Sequence, residues 1–309
     1  MYKMKISIIG AGNVGALCAM RIAQYGLGEV ILVDIAKGLA QGKALDLEDA
    51  RSILKINYNI KGSEDINSIK ASDVVVITAG LARKPGMTRE ELLAKNSQIL
   101  KEVCLKIKQL ATEAVVIVVT NPLDLLTYFA LKSTGFSRNK VLGMGITLDS
   151  ARFANLISQE LNLQPQEIDA LVIGVHGEGM LPLVKHTKVK GVSLEEFLAK
   201  EKVDRLVKKT VGRGAEIVSY LGSGSAFFAP SAAVAEMVKV IAKDEKKILG
   251  CCAYLDGEYG ISGICIGVPA RLGKSGIEKI IELDLSEPEK KELLDSAGSI
   301  RNLIKQLPL

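Results

Sequence analysis

Short apolar runs alternate with amphipathic stretches along the first half of the chain. Residues 4–9, 30–33, 74–78 and 115–120 are dense in Val and Ile, the composition of parallel strands covered on both faces. Between them, residues 14–25, 38–50 and 88–110 carry helical patterns, the last with Leu92, Leu93, Ile99, Leu100 and Val103 at helical spacing. Strand and helix in alternation predict βαβ units, hence an α/β fold with an open, doubly wound parallel sheet.

Near residue 145 the pattern changes. A helix beginning around Thr147 leads to an apolar run at 170–175, and then to 183–189, whose mixed polarity predicts a half-exposed antiparallel strand. Helical patterns follow at 202–220 and 230–242, strand-like segments at 248–255 and 263–272, and an amphipathic final helix at 287–307. The expected division is a first domain over 1–145 and a catalytic or substrate domain of α+β type with antiparallel strands over 146–309. No low-complexity linker separates them, so a cleft at their interface is the default binding site.

Composition narrows the chemistry. A chain of 309 residues is long enough to bury a substantial core, and 48% hydrophobic with 24% charged residues is the profile of a soluble globular protein. Aromatics make up 4% without tryptophan, and the basic residues are scattered, which excludes a stacking nucleic-acid binder. The +5 charge contains ten arginines among forty basic residues, few enough to inspect singly as carboxylate binders. Cys18, Cys104, Cys251, Cys252 and Cys265 are odd in number, lie mostly in apolar stretches and lack C-x-x-C spacing, as expected of reduced, buried thiols in a cytoplasmic protein. No apolar run approaches the ~20 residues of a membrane span, and no metal site is expected.

The first motif follows the first strand. Gly10-Ala11-Gly12-Asn13-Val14-Gly15 gives G-x-G-x-x-G at the opening of the first helix. Gly10 permits the tight turn, Gly12 lets a pyrophosphate approach the backbone and Gly15 allows close helix packing. Asp34 ends the second strand, at the distance where a carboxylate accepts from ribose hydroxyls and repels a 2′-phosphate. Together these predict a Rossmann-type domain that prefers NAD to NADP. Tyr128 and Lys132 have the Y-x-x-x-K spacing of short-chain dehydrogenases, but the glycine spacing differs from that class, so Tyr128 reads as packing.

Candidate catalytic groups gather at element ends. His176 stands among glycines at the end of an apolar strand, placed either to exchange protons with a ligand or to serve as a hydrogen-bonded structural histidine. His186 fits the structural role. Asp149 and Arg152, three apart on a helix, offer an acid and a guanidinium on one face or form an ordinary surface ion pair. Asn121 precedes a proline where a strand ends. The loop 79–89 carries Arg83, Lys84 and Arg89; it is either a solvated basic loop or one that closes over an anion.

Taken together, GAGNVG, ARKPGMTR, TNPLD, LDSARF and VHGEG resemble, over essentially the whole chain, the lactate/malate dehydrogenase superfamily. Within it they are similar to the NAD-dependent malate dehydrogenases of lactate-dehydrogenase-like type. The resemblance implies His176 as proton donor and acceptor, oriented by Asp149, with Arg152 holding a substrate carboxylate and Arg89 polarising the substrate oxygen. Asn121 would bond near the nicotinamide and that oxygen. Gly10, Gly12, Asn13, Val14, Gly15, Asp34, Asn96, Thr120 and Asn121 would form the NAD-binding set. Arg83 stands where malate enzymes have arginine and lactate enzymes typically glutamine. A desolvated arginine facing a methyl group lacks a partner, so malate and oxaloacetate are the implied pair. Residues 145–149 read more like the lactate branch, and Ala154 stands where arginine is frequent, though neither touches the carboxylate-binding positions. Ser225 and Ala226 are further candidates near the substrate. The resemblance also implies a homotetramer, less often a dimer, and a place in the tricarboxylic acid cycle. The alternatives are a lactate dehydrogenase or a non-catalytic NAD-binding protein of the same fold.

Overall fold

The computed structural model describes residues 4–81 and 88–308. The first half runs β1 (Met4–Ile9), α1 (Asn13–Gln24), β2 (Gly28–Val33), α2 (Leu39–Leu54), β3 (Asn59–Ser63), β4 (Val74–Ile77), α3 (Arg89–Leu110), β5 (Val115–Val118), α4 (Leu123–Thr134) and β6 (Val141–Gly143). The second half continues with α5 (Gly145–Leu161), β7 (Ile168–Asp169), β8 (Val172–Gly174), β9 (Met180–Pro182), β10 (Lys188–Val189), β11 (Val192–Ser193), α6 (Lys200–Leu221) and α7 (Phe228–Ala242). It closes with β12 (Lys247–Asp256), β13 (Ser262–Gly273), β14 (Gly276–Ile280) and α8 (Glu287–Ile304).

Six parallel strands lie in the order β3-β2-β1-β4-β5-β6. Chain direction across the sheet reverses between β1 and β4, the kind of point at which open α/β sheets bind ligands beyond the carboxyl ends of their strands. The Val/Ile runs explain the choice of parallel pairing, because every residue of β4 and β5 is buried. The sheet does not stop at residue 145: β12 pairs antiparallel with β6 through Cys252 and Gly143, and β13, β8 and β9 extend it. One apolar cluster accordingly runs from Ile6 and Ile117 to Ile266 and Ile300.

Helix ends follow their local chemistry. Thr88 and Glu91 form a reciprocal capping box at the start of α3, and Ser286 and Glu289 do the same for α8. Helix α7 is buried along Val234, Met237, Val238 and Ile241 and meets α1, where Arg21 Nε donates to Ser231 Oγ at 3.2 Å.

The antiparallel strand expected at 183–189 is corrected. β9 ends at Pro182, residues 184–186 turn, and the chain returns to a strand only at Lys188. The polar alternation there belongs to the turn. Thr187 is fully buried, and its hydroxyl donates to the Leu183 carbonyl at 2.8 Å while the His186 amide donates to the same carbonyl at 3.2 Å. Such local bonds compete with a strand ladder.

Candidate active site

The turn after β1 is pressed against the sheet. Gly10 has φ +106°, and a Cβ there would lie 2.6 Å from the Ala79 nitrogen. A Cβ on Gly15 would lie 1.8 Å from the Gly10 carbonyl oxygen. Gly12, the residue that caps α1, differs: the place of its missing side chain is open, with nothing within 4 Å. No side chain caps this helix, so the amides of its first turn, begun by exposed Asn13 and half-buried Val14, face an open concavity suited to an anion. Beside it, Asp34 accepts the Ala11 amide at 2.6 Å and the Ala36 amide at 2.9 Å. A carboxylate has about four acceptor positions, so two hydroxyl donors can still be served. An open cradle at a helix N-terminus next to a half-buried carboxylate fits a dinucleotide with an unsubstituted ribose.

Polar contacts continue along the carboxyl ends of the strands. Thr78 Oγ1 donates to the Gly10 carbonyl at 2.9 Å, and Thr120 Oγ1 donates to the Ala79 carbonyl at 2.7 Å. Asn96 is fully buried; its amide receives the Leu81 N–H at 2.7 Å and donates to the Asn121 carbonyl at 2.7 Å. Asn96 and Thr120 therefore hold the chain segments around the concavity, while the side chain of Asn121 is exposed.

Immediately after Asn121, α4 carries Leu123 and Asp124 beneath His176. The main-chain N–H of His176 donates to Asp124 Oδ2 at 2.9 Å, and the ring Nδ1 lies 2.7 Å from Asp149 Oδ2. Asp149 is fully buried; its other oxygen accepts from Arg152 Nη1 at 3.2 Å. A short α5 turn thus hands one carboxylate to both an imidazole and a guanidinium, leaving the buried Arg152 Nε without a protein partner. Gly145, the first residue of α5, lets the imidazole approach, since a Cβ there would lie 3.1 Å from His176 Cβ and 3.3 Å from Cγ. With Nδ1 held by Asp149, Nε2 is the ring atom left for proton exchange.

Burial alone would lower the pKa of His176. The charge and hydrogen bond of Asp149, with Asp124 adding to them, outweigh burial and the opposing Arg152, and the pKa rises above its ordinary value. Burial pushes the Asp124 carboxyl up, opposed by the charge of His176 and by hydrogen bonds from Cys252 and the His176 amide. The two carboxylates therefore favour the imidazolium form of His176.

Of the other sequence candidates, Arg83 lies outside the described residues, as does the side chain of Arg89. Tyr128 stacks on Tyr254 with centroids 6.3 Å apart, and Lys132 Nζ sits 5.2 Å above the Tyr128 ring, a packing cluster. His186 bonds the Asp284 carbonyl through Nε2 at 3.2 Å. Ser225 is exposed and Ala226 half-buried in the loop between α6 and α7. All five cysteines are buried and unpaired with one another. Among the described residues no cluster of His, Cys, Asp or Glu could hold a metal ion, and no helix is long and apolar enough to cross a membrane. Sequence reasoning missed Asp124 and Gly145. The available signals were an acid just inside a helix start and a glycine where a helix begins.

Comparison with known proteins shows what the chain as a whole is similar to. The family description "lactate/malate dehydrogenase, NAD binding domain" matches residues 4–143, and "lactate/malate dehydrogenase, alpha/beta C-terminal domain" matches 146–307. A malate dehydrogenase of Methanosarcina barkeri is 51% identical over 305 residues, covering 99% of each chain. A crystal structure of Cryptosporidium parvum malate dehydrogenase is 40% identical with a TM-score of 0.96, covering 99% of both chains. The lactate dehydrogenase of Cryptosporidium parvum, solved with lactic acid and nicotinamide adenine dinucleotide, is 38% identical with a TM-score of 0.96, covering 99% of this chain and 98% of that one.

Proposed function

Since this chain belongs to the lactate/malate dehydrogenase family, we propose that it works as an NAD-dependent (S)-malate dehydrogenase, interconverting malate and oxaloacetate. The observation that carries this reading is Asp149 bridging His176 and Arg152 at the edge of a nucleotide-binding sheet. The identity of its relatives favours malate over lactate. NAD, when bound in the cradle at Gly10, Gly12 and Gly15, supplies the hydride acceptor.

The chain's own residues do the rest. Arg152 holds one substrate carboxylate in a bidentate fork, and Arg83 pairs with the second. Arg89 and Asn121 bond the oxygen on C2. His176 Nε2 takes the hydroxyl proton during malate oxidation and returns it during oxaloacetate reduction, while Asp149 stabilises the imidazolium. Asp34 selects the cofactor through its ribose.

The test is a paired assay of oxaloacetate and pyruvate with NADH, run on the wild type and on Arg83→Gln. The wild type should prefer oxaloacetate by at least ~10²-fold in kcat/KM, because a site built around a charge leaves that charge unpaired with a monocarboxylate. The variant should lose most of that preference. A wild-type preference for pyruvate would overturn the malate reading.

The same reading extends to a homotetramer that acts in the cytoplasm within the tricarboxylic acid cycle. Support for assembly comes from apolar side chains left exposed, including Ile53 on α2, Tyr220 on α6 and Phe228 on α7; light scattering measures the state.

A further inference from the structure

We propose that Asp124 is a second carboxylate of the proton-transfer site, a positioning residue that fixes the main chain of His176 and whose negative charge stabilises the imidazolium. The proposal rests on the reading of His176 as the proton carrier.

Two carboxylates grip His176 from two helices. Asp149 on α5 holds the ring, and Asp124 on α4 holds the backbone amide at 2.9 Å. A simple tie to an amide needs one neutral acceptor, which an asparagine would supply. Asp124 instead buries a whole carboxyl group, 3% exposed, whose Oδ1 has no hydrogen-bond partner. Burying a carboxylate with an unused oxygen is costly unless its charge is balanced nearby. The groups facing the cluster are Asp149 and Arg152 from α5, Arg213 of α6 beside Arg152, Cys252 of β12 and Cys265 of β13, and among them the guanidinium of Arg152 supplies positive charge. With His176 protonated, His176 and Arg152 carry two positive charges against two carboxylates. Burial works against the charge on Asp124; the charge of His176, the hydrogen bond from its amide and the placement of Asp124 in the first turn of α4 work for it.

The chain contains only two histidines, which makes the test direct. The ring C–H resonances of His176 and His186 are titrated by NMR in the wild type and in Asp124→Asn, which keeps an acceptor and removes the charge. The His176 midpoint should fall by about one unit, a tenfold loss of proton affinity, with His186 unmoved as internal reference. The alkaline limb of oxaloacetate reduction should move the same distance toward acid, with KM for oxaloacetate within about threefold of wild type and kcat recovered at lower pH. An unshifted His176 midpoint in folded Asp124→Asn would overturn the proposal. Should that variant not fold, Asp124→Ser, which keeps a smaller neutral acceptor, takes its place with the same readout, and an unshifted His176 midpoint overturns the proposal. A shifted midpoint without a shifted rate profile would support the hold of Asp124 on His176 and refute His176 as the proton carrier, so the two failures are distinguishable.

Discussion

Replacing Gly145 by alanine sets two physical effects against each other at one atom. In a helix, alanine is favoured over glycine by up to ~1 kcal/mol. At this helix start, however, the added methyl would lie 2.5 Å from Leu123 Cδ2 and 3.1 Å from His176 Cβ. Ordinary carbon contacts need about 3.5–4.0 Å, so the leucine methyl must retreat by about 1 Å and the histidine by a few tenths. Leu123 has little room, being 2% exposed and packed with Cys252 and Cys265. Overpacking of this kind costs ~1–3 kcal/mol, which exceeds the propensity gain. The imidazole is also pinned by Asp149, and misplacement of a reacting group by 1 Å costs on the order of 10²-fold, so tenths of an ångström should cost about tenfold in kcat. Thermal denaturation and initial rates of NADH oxidation with oxaloacetate read the two effects separately. A more stable variant with wild-type kcat would refute the reasoning, because it would show that neither Leu123 nor His176 is held where the packing places it.

Two further outcomes follow from the site. The folded pKa of His176 lies above its unfolded value of about 6.5, so its pairing stabilises the fold fully below that pH and the contribution is lost as pH rises through the folded pKa. Denaturation midpoints of wild type and His176→Asn should therefore differ most below about pH 6.5 and converge as pH rises through the folded pKa; a constant gap would refute the assignment. Asp34→Ser should weaken NAD binding by about tenfold and admit NADP, read from the two KM values, because the carboxylate that organises the Ala11 amide and excludes a 2′-phosphate is gone; unchanged cofactor selectivity would count against Asp34.

Legibility in the sequence tracked how local the cause was. The runs at β1, β4 and β5 announce themselves because buried parallel strands are apolar on both faces. β3 did not, since in Asn59–Ser63 only Ile60 is buried at this edge of the sheet. The turn at 184–186 carried an alternation indistinguishable from a strand until Thr187 was seen bonding back to Leu183. In the site, the glycine turn with Asp34 and the pairing of Asp149 with Arg152 are readable because their spacing is short or set by a known unit. Asp124 and Gly145 act on His176 across 52 and 31 positions of chain, a proximity that only the fold creates.

The pairing of β6 with β12 bears on how the molecule comes apart. Because one sheet and one apolar cluster span residue 145, neither half can unfold without tearing the core of the other. Melting should then be a single cooperative event. Cofactor held only by the first half will protect the second half equally, by mass action on the shared native state.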